Sequence, residues 1–252
     1  DDILIDVQPT FGMYEFSAKI QGAKVCSVSR RDDFEIDLDK ILNSVSNKTK
    51  IIFLASPNNP TGNILSEPDL VKLLQSELIV VIDETYYEFC NISFSHLIDK
   101  YENLIILRSF SKWSGLAGLR IGYAISNPKI IEKLLLIKQP YNINTAAETV
   151  ALEAISKKDF LLEKVQILLE QRDRIYEFLQ GKKGIKVYPS HANFLLVDFG
   201  EIDANIVFET LAKNGIFVRK FSHTMISNAL RISSGTPDQI RILLQVLDQF
   251  IK

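Results

Sequence analysis

Three apolar runs of this chain end in polar residues whose types could do chemistry. Ile51 to Ala55 leads into Ser56-Pro57-Asn58-Asn59-Pro60-Thr61-Gly62, and Leu78 to Ile82 leads into Asp83-Glu84-Thr85-Tyr86-Tyr87. Leu104 to Leu107 leads into Arg108-Ser109-Phe110-Ser111-Lys112, with Gly115, Gly118 and Arg120 following. As residue types these offer an amine that can act as nucleophile or base, a carboxylate, several hydroxyls and a guanidinium that can fork an anion. Each also has a plain structural use. An Asp after a strand commonly closes a turn, and Asn-Pro-Thr-Gly is itself a turn sequence, because Pro fixes φ and Gly permits positive φ. Lys112 or Arg120 alone is ordinarily a surface charge. Their joint occurrence, in this order, gives them weight.

The runs that precede these residues have the length and β-branched content of buried strands, as do Ile3 to Val7, Val25 to Val28 and Ile121 to Ile125. Between them, Asp37 to Val45 and Ser66 to Leu74 repeat apolar residues every three or four positions behind a Ser or Asp cap. Strand alternating with helix predicts a mostly parallel sheet covered by helices, since parallel strands need long crossovers and bury both faces. In such a sheet ligands gather beyond the carboxyl ends of the strands, so all three polar segments are expected on one edge. After Asn127-Pro128 the pattern turns to long helices over about 129–139, 145–156 and 160–179. Strand candidates then fall at Ile185 to Tyr188, Phe194 to Asp198, Ile216 to Arg219 and Ala229 to Ser233, with helices near Ala204 to Lys213 and from Pro237. The expectation is an α/β large domain over 1–165 and a smaller α+β domain over 166–252, the long third helix linking them. The apolar face of the last helix, with Ile240, Leu244, Leu247 and Ile251, reads as core packing.

Composition narrows the function classes. With 252 residues, 46% hydrophobic and 24% charged, the chain is an ordinary globular protein, and a net charge of -2 gives no electrostatic reason to dock on nucleic acid or an anionic membrane. No apolar stretch approaches the roughly 20 residues needed to cross a bilayer. Cys26 and Cys90 are too far apart for a thiolate metal site or a disulfide framework, which fits a reducing cytoplasm. His96, His191 and His223 show no metal spacing, so no metal is expected and loop or surface roles are assigned to them. The chain opens at Asp1 without an initiator Met or a signal core and reads as one that has lost its natural beginning.

Taken together, Pro9-Thr10-Phe11-Gly12-Met13-Tyr14, Ser56 to Gly62, Asp83 to Tyr86, Ser109 to Arg120, Asn193-Phe194, Val218-Arg219 and Leu230-Arg231-Ile232-Ser233 resemble the pyridoxal-phosphate aminotransferases of the aspartate-aminotransferase fold. Within them the similarity is to the histidinol-phosphate aminotransferase family, in the family's order and across essentially the whole chain. The resemblance implies pyridoxal 5'-phosphate as cofactor, with Lys112 as the amine that holds its aldehyde as a Schiff base and shuttles protons. It implies Asp83 against the pyridine nitrogen, Asn59 and Tyr86 at the phenolic oxygen, and Phe11 stacked on the ring. Ser109, Ser111 and Arg120 match the phosphate ligands, Arg231 the fork for a substrate carboxylate, Arg219 the contact to a substrate phosphate, and Asn193 an active-site asparagine of the small domain.

The implied reaction moves an amino group between L-histidinol phosphate and 2-oxoglutarate in histidine biosynthesis, with glutamate as donor, in a homodimer with sites at the subunit boundary. The nearest enzyme alternatives are an aromatic or aspartate aminotransferase and a threonine-phosphate decarboxylase. From other classes come a ligand-sensing aminotransferase-like domain, against which the lack of a basic module speaks, and an inactive cofactor-binding form. The family carries a further segment of about a hundred residues ahead of the point where this chain begins. That segment holds a helix N-terminus for the cofactor phosphate and a tyrosine that reaches the partner subunit's site. Neither can be assigned here.

Overall fold

The computed structural model describes residues 1–250. Two sheets organise it. Strands β1 (Ile3–Gln8), β2 (Lys24–Ser29), β3 (Thr49–Ala55), β4 (Ile79–Asp83), β5 (Leu104–Ser109) and β6 (Gly122–Ser126) form a six-stranded sheet in the order β2-β1-β3-β4-β5-β6. Every neighbouring pair is parallel except β5 with β6. The crossovers carry helices α1 (Met13–Ile20), α2 (Leu38–Asn43) and α3 (Glu67–Leu74). Ile5, Ile52, Ile82 and Ile106 from the strands pack with Ile41, Leu70 and Leu73 from α2 and α3, all fully buried. Asp37 caps α2 by accepting from the Lys40 N–H at 3.2 Å, the local reason the helix begins there.

Helices α4 (Pro128–Ile137), α5 (Thr145–Ser156) and α6 (Lys158–Leu179) follow. β7 (Lys186–Val187), β8 (Phe194–Asp198), β9 (Arg219–Lys220) and β10 (Ala229–Ser233) then make an antiparallel sheet in the order β7-β8-β10-β9, covered by α7 (Ala204–Lys213) and α8 (Pro237–Leu247). Thr236 and Gln239 start α8 with a capping box behind Pro237. Ile240, Leu244 and Leu247 of its apolar face are buried in the second core, whereas Ile251 lies outside the described residues. Helix α6 serves both parts: Val165 packs with Tyr86 and Phe194, while Ile175 and Leu179 lie in the core of the small sheet.

One expectation is corrected and one element is added. The strand expected over Ile216 to Arg219 pairs only through Arg219–Lys220, because the Ile216 N–H is taken by the Leu211 carbonyl at 2.9 Å in closing α7. The helix α1 adds to the expected elements; it starts behind Gly12 without a side-chain cap, so the usual entry signal is missing. Among the described residues, no helix is long and apolar enough to cross a membrane.

Candidate active site

Register puts the three polar segments side by side. Ala55 of β3 pairs with Asp83 of β4, and Asp83 pairs with Leu107 of β5, so the turns after these strands leave the sheet at one edge. The turn after β4 is anchored from below by Glu84, which is fully buried. Its carboxylate accepts from Arg108 Nε at 3.0 Å and Nη2 at 2.9 Å, from Ser93 Oγ, and from the Phe94 N–H at 2.8 Å. Arg108 in turn lies 3.5 Å over the Tyr87 ring. With both neighbours of the turn fixed, Asp83 and Tyr86 have little freedom.

Phe11, Asn59, Asp83, Tyr86, Lys112 and Arg231 line one cavity of about 170 Å³. Asp83 is held at both oxygens: Oδ1 accepts the Thr85 N–H at 2.9 Å, and Oδ2 accepts the Tyr14 hydroxyl at 2.7 Å. Tyr86 is buried, edge-on to Phe194 at 5.2 Å. Burial raises its phenol's proton affinity, with attraction from Arg231 acting the other way. Lys112 sits in the loop after β5 with Nζ 5.7 Å from the Tyr86 ring centre. Its residue keeps solvent exposure, yet partial desolvation of the amine, then repulsion from Arg231 and Arg120, outweighs attraction to Asp83 and holds it below the ordinary lysine value.

Arg231 enters from β10. Its Nη1 donates to Asn59 Oδ1 at 2.6 Å, its guanidinium stands 5.1 Å over Phe194, and its Nε is buried with no partner. Burial, followed by attraction to Tyr86 and repulsion from Arg219, leaves its proton affinity below the usual arginine value. Arg219 is the residue directly across from Arg231 in the β9–β10 pairing and is exposed. The two arginines share a larger cavity of about 690 Å³ with Phe11, Phe16, Phe221 and His223. His223 is a loop residue whose Nδ1 accepts the Met225 N–H at 3.3 Å.

The remaining candidates lie outside the smaller cavity's lining. Ser109 Oγ accepts the Ser111 N–H at 3.0 Å, which groups the two serines. Arg120 is exposed, in a left-handed conformation (φ 57°), and its Nη1 donates to the Ala117 carbonyl at 3.0 Å, so part of its fork is engaged within its own loop. Asn193 is tied by its carbonyl, which accepts the Ser234 N–H at 2.8 Å and hydroxyl at 3.0 Å.

Two residues matter that residue types alone did not single out. Asn58 is fully buried and stitches the Phe11 loop to the Asn59 turn: Nδ2 donates to the Pro9 carbonyl at 3.0 Å and to Thr61 Oγ1 at 2.7 Å, and Oδ1 accepts the Thr10 hydroxyl at 2.8 Å. Tyr14 is buried against Phe53 and reaches Asp83 from α1. A helix that follows Phe11 would have been the signal for it, since positions three apart share a face.

The family model for aminotransferase class I and II matches residues 1–247. This chain belongs to that family. The class I and II aminotransferase chain is 42% identical over 252 residues to the histidinol-phosphate aminotransferase of Roseiflexus castenholzii, covering 98% of this chain and 68% of that protein. It is 43% identical over 250 residues to histidinol-phosphate aminotransferase 1, chloroplastic, of Arabidopsis thaliana, again covering 98% of this chain but 60% of the relative. The chain thus spans about two thirds or less of these relatives' length. Its fold is also that of the histidinol-phosphate aminotransferase from Sinorhizobium meliloti solved in complex with pyridoxal-5'-phosphate, with a TM-score of 0.88 and 25% identity, over 99% of this chain and 71% of that one. In this aminotransferase chain the matched region takes in both sheets and every candidate site residue.

Proposed function

We propose that this chain carries the pyridoxal 5'-phosphate site of an enzyme that transfers an amino group between L-histidinol phosphate and 2-oxoglutarate in histidine biosynthesis. The single observation that carries the proposal is the lining of the smaller cavity: a clamped carboxylate, an amine of lowered proton affinity, an aromatic plate, an amide and an arginine with a buried, unpartnered N–H face one space. The residues fit the cofactor on chemical grounds. Asp83 is a fixed anion, the charge that keeps a pyridine nitrogen protonated, and Asn59 and Tyr86 are donors for a phenolic oxygen. Ser109, Ser111 and Arg120 would hold the phosphate, with Arg120 exchanging the Ala117 carbonyl for it. When bound, the cofactor supplies the aldehyde that takes the amino group and a ring that draws electrons from the substrate's Cα.

The chain's own residues then divide the work. Lys112, with its proton affinity lowered, is the amine that can attack a carbonyl carbon and afterwards move a proton. The orphaned Nε of Arg231 marks the place where a carboxylate would complete a fork. Arg219, on the neighbouring strand, adds a second positive charge on the side of the larger cavity, and Phe11, Phe16 and Phe221 give that cavity walls suited to a flat ring. Two positive groups with aromatic walls match a donor that carries both an imidazole and a phosphate. The names of the two relatives at 42% and 43% identity support the same substrate. We take residues 1–165 as the cofactor-binding part and 166–252 as the small domain, joined through α6, and the enzyme as a homodimer.

The test is spectroscopic. Protein loaded with pyridoxal phosphate should lose the visible band of the bound aldehyde when glutamate is added and regain it with 2-oxoglutarate. Uptake without conversion, or no uptake, would overturn the proposal.

A further inference from the structure

We infer that Tyr14 is a positioning residue for Asp83, and that the site requires its hydroxyl rather than its ring. This rests on the cofactor assignment above and adds a residue to which no role was given. The ring is seated from two sides, stacked on Phe53 at 5.0 Å and met edge-on by Phe11 at 5.6 Å. That seat aims the hydroxyl at Asp83 Oδ2, 2.7 Å away. Thr85 holds the other oxygen through its backbone N–H at 2.9 Å. Two donors on two different oxygens fix the plane of the carboxylate, so its free lone pairs face the cavity in one orientation.

The surroundings keep the hydroxyl a donor. Burial, then the Asp83 charge, raises the proton affinity of Tyr14 well above the ordinary phenol value. Asp6, fully buried with Oδ1 unpartnered, adds a second carboxylate nearby that opposes a phenolate. Tyr14 therefore stays protonated through the neutral range, and a clamp made of its O–H is not lost to titration there. Phe11, expected against the cofactor ring, packs on the same tyrosine, so one side chain sets both the anion and the plate.

The experiment is a double-mutant cycle on Tyr14→Phe and Asp83→Asn, read by the dissociation constant of pyridoxal phosphate from its absorbance and by thermal melting of the cofactor-free protein. Tyr14→Phe keeps both ring contacts and deletes only the hydroxyl's bond to Asp83, so its melting should fall by no more than that one hydrogen bond accounts for. It should bind the cofactor about tenfold more weakly, the size of one lost hydrogen bond to a charged group. In the Asp83→Asn background the same substitution should change affinity by less than about twofold, because the group it acts through is gone. Parent-like affinity in Tyr14→Phe overturns the inference, and so does an equal loss in both backgrounds. Should Tyr14→Phe fold poorly, Phe53→Leu decides. It loosens the seat but spares the hydroxyl, so it must weaken binding less than Tyr14→Phe does, and a larger loss overturns the inference. A parent that takes up no cofactor overturns the proposed function itself, whereas uptake that ignores Tyr14 overturns the clamp alone.

Discussion

Replacing Arg231 by Met separates what this arginine costs the fold from what it does for a ligand. In the free protein it makes one hydrogen bond, to Asn59 at 2.6 Å, leaves Nε buried and unpartnered, and lies across from Arg219. Losing the hydrogen bond costs about 1 kcal/mol, and removing a buried N–H without a partner returns about 1 to 3 kcal/mol, so the two offset. Met fills much of the same length beside Phe194. Urea denaturation of Arg231→Met should therefore give a stability within about 1 kcal/mol of the parent or slightly above it. A carboxylate ligand, in contrast, loses a forked, charge-assisted contact of about 1.5 to 3 kcal/mol, which is roughly ten- to more than a hundredfold in kcat/KM for glutamate. Amine donors without a carboxylate should change by no more than about twofold on the same scale. Arg219→Gln provides the matching control, with a larger penalty for histidinol phosphate than for a neutral aromatic amine. A variant that loses more than about 2 kcal/mol of stability, beyond what the hydrogen bond to Asn59 can account for, while turning over glutamate normally would refute the reasoning and make Arg231 a structural residue.

Lys112→Met should stabilise the cofactor-free protein at neutral pH. The lysine's folded proton affinity is lowered, so the unfolded chain binds more protons in the range below 10.5. The parent accordingly gains stability as pH rises through that range, and the advantage of Lys112→Met should fade above it; an advantage independent of pH would contradict the desolvation of this amine. Arg108→Met should destabilise by about 3 to 5 kcal/mol, because it strands the fully buried Glu84 carboxylate. The double change Arg108→Met with Glu84→Gln should cost less than Arg108→Met alone, as measured by urea denaturation, and an equal or greater cost would show that the pair is held by packing.

The fold was legible where burial is two-sided. Strands such as β1 and β4 are rich in β-branched residues and largely buried, and their ends fall within a residue or two of the expected positions. The ends of β8, α7 and β10 coincide with those expected. β9 shrank because Ile216 is spent on closing α7, a competition between neighbours that a local pattern does not register. In the site, Asp83, Lys112 and Asn59 stood out by their place after strands. Tyr14 and Asn58 did not, since each works by reaching another segment, 69 residues away to Asp83 and 49 to Pro9. Arg120 shows the opposite case: its position was legible, whereas the direction of its fork, set by a left-handed backbone and the Ala117 carbonyl, was not.

That Lys112 is the amine serving an aldehyde cofactor can be measured directly. The protein is incubated with pyridoxal phosphate, reduced with borohydride, digested and mapped. The reduced label is expected on Lys112, and Lys112→Ala should carry none while still binding the cofactor weakly and reversibly through Asp83, Asn59 and the serines. A label on any other lysine, or one spread over surface lysines and unchanged in Lys112→Ala, would contradict the assignment of this site.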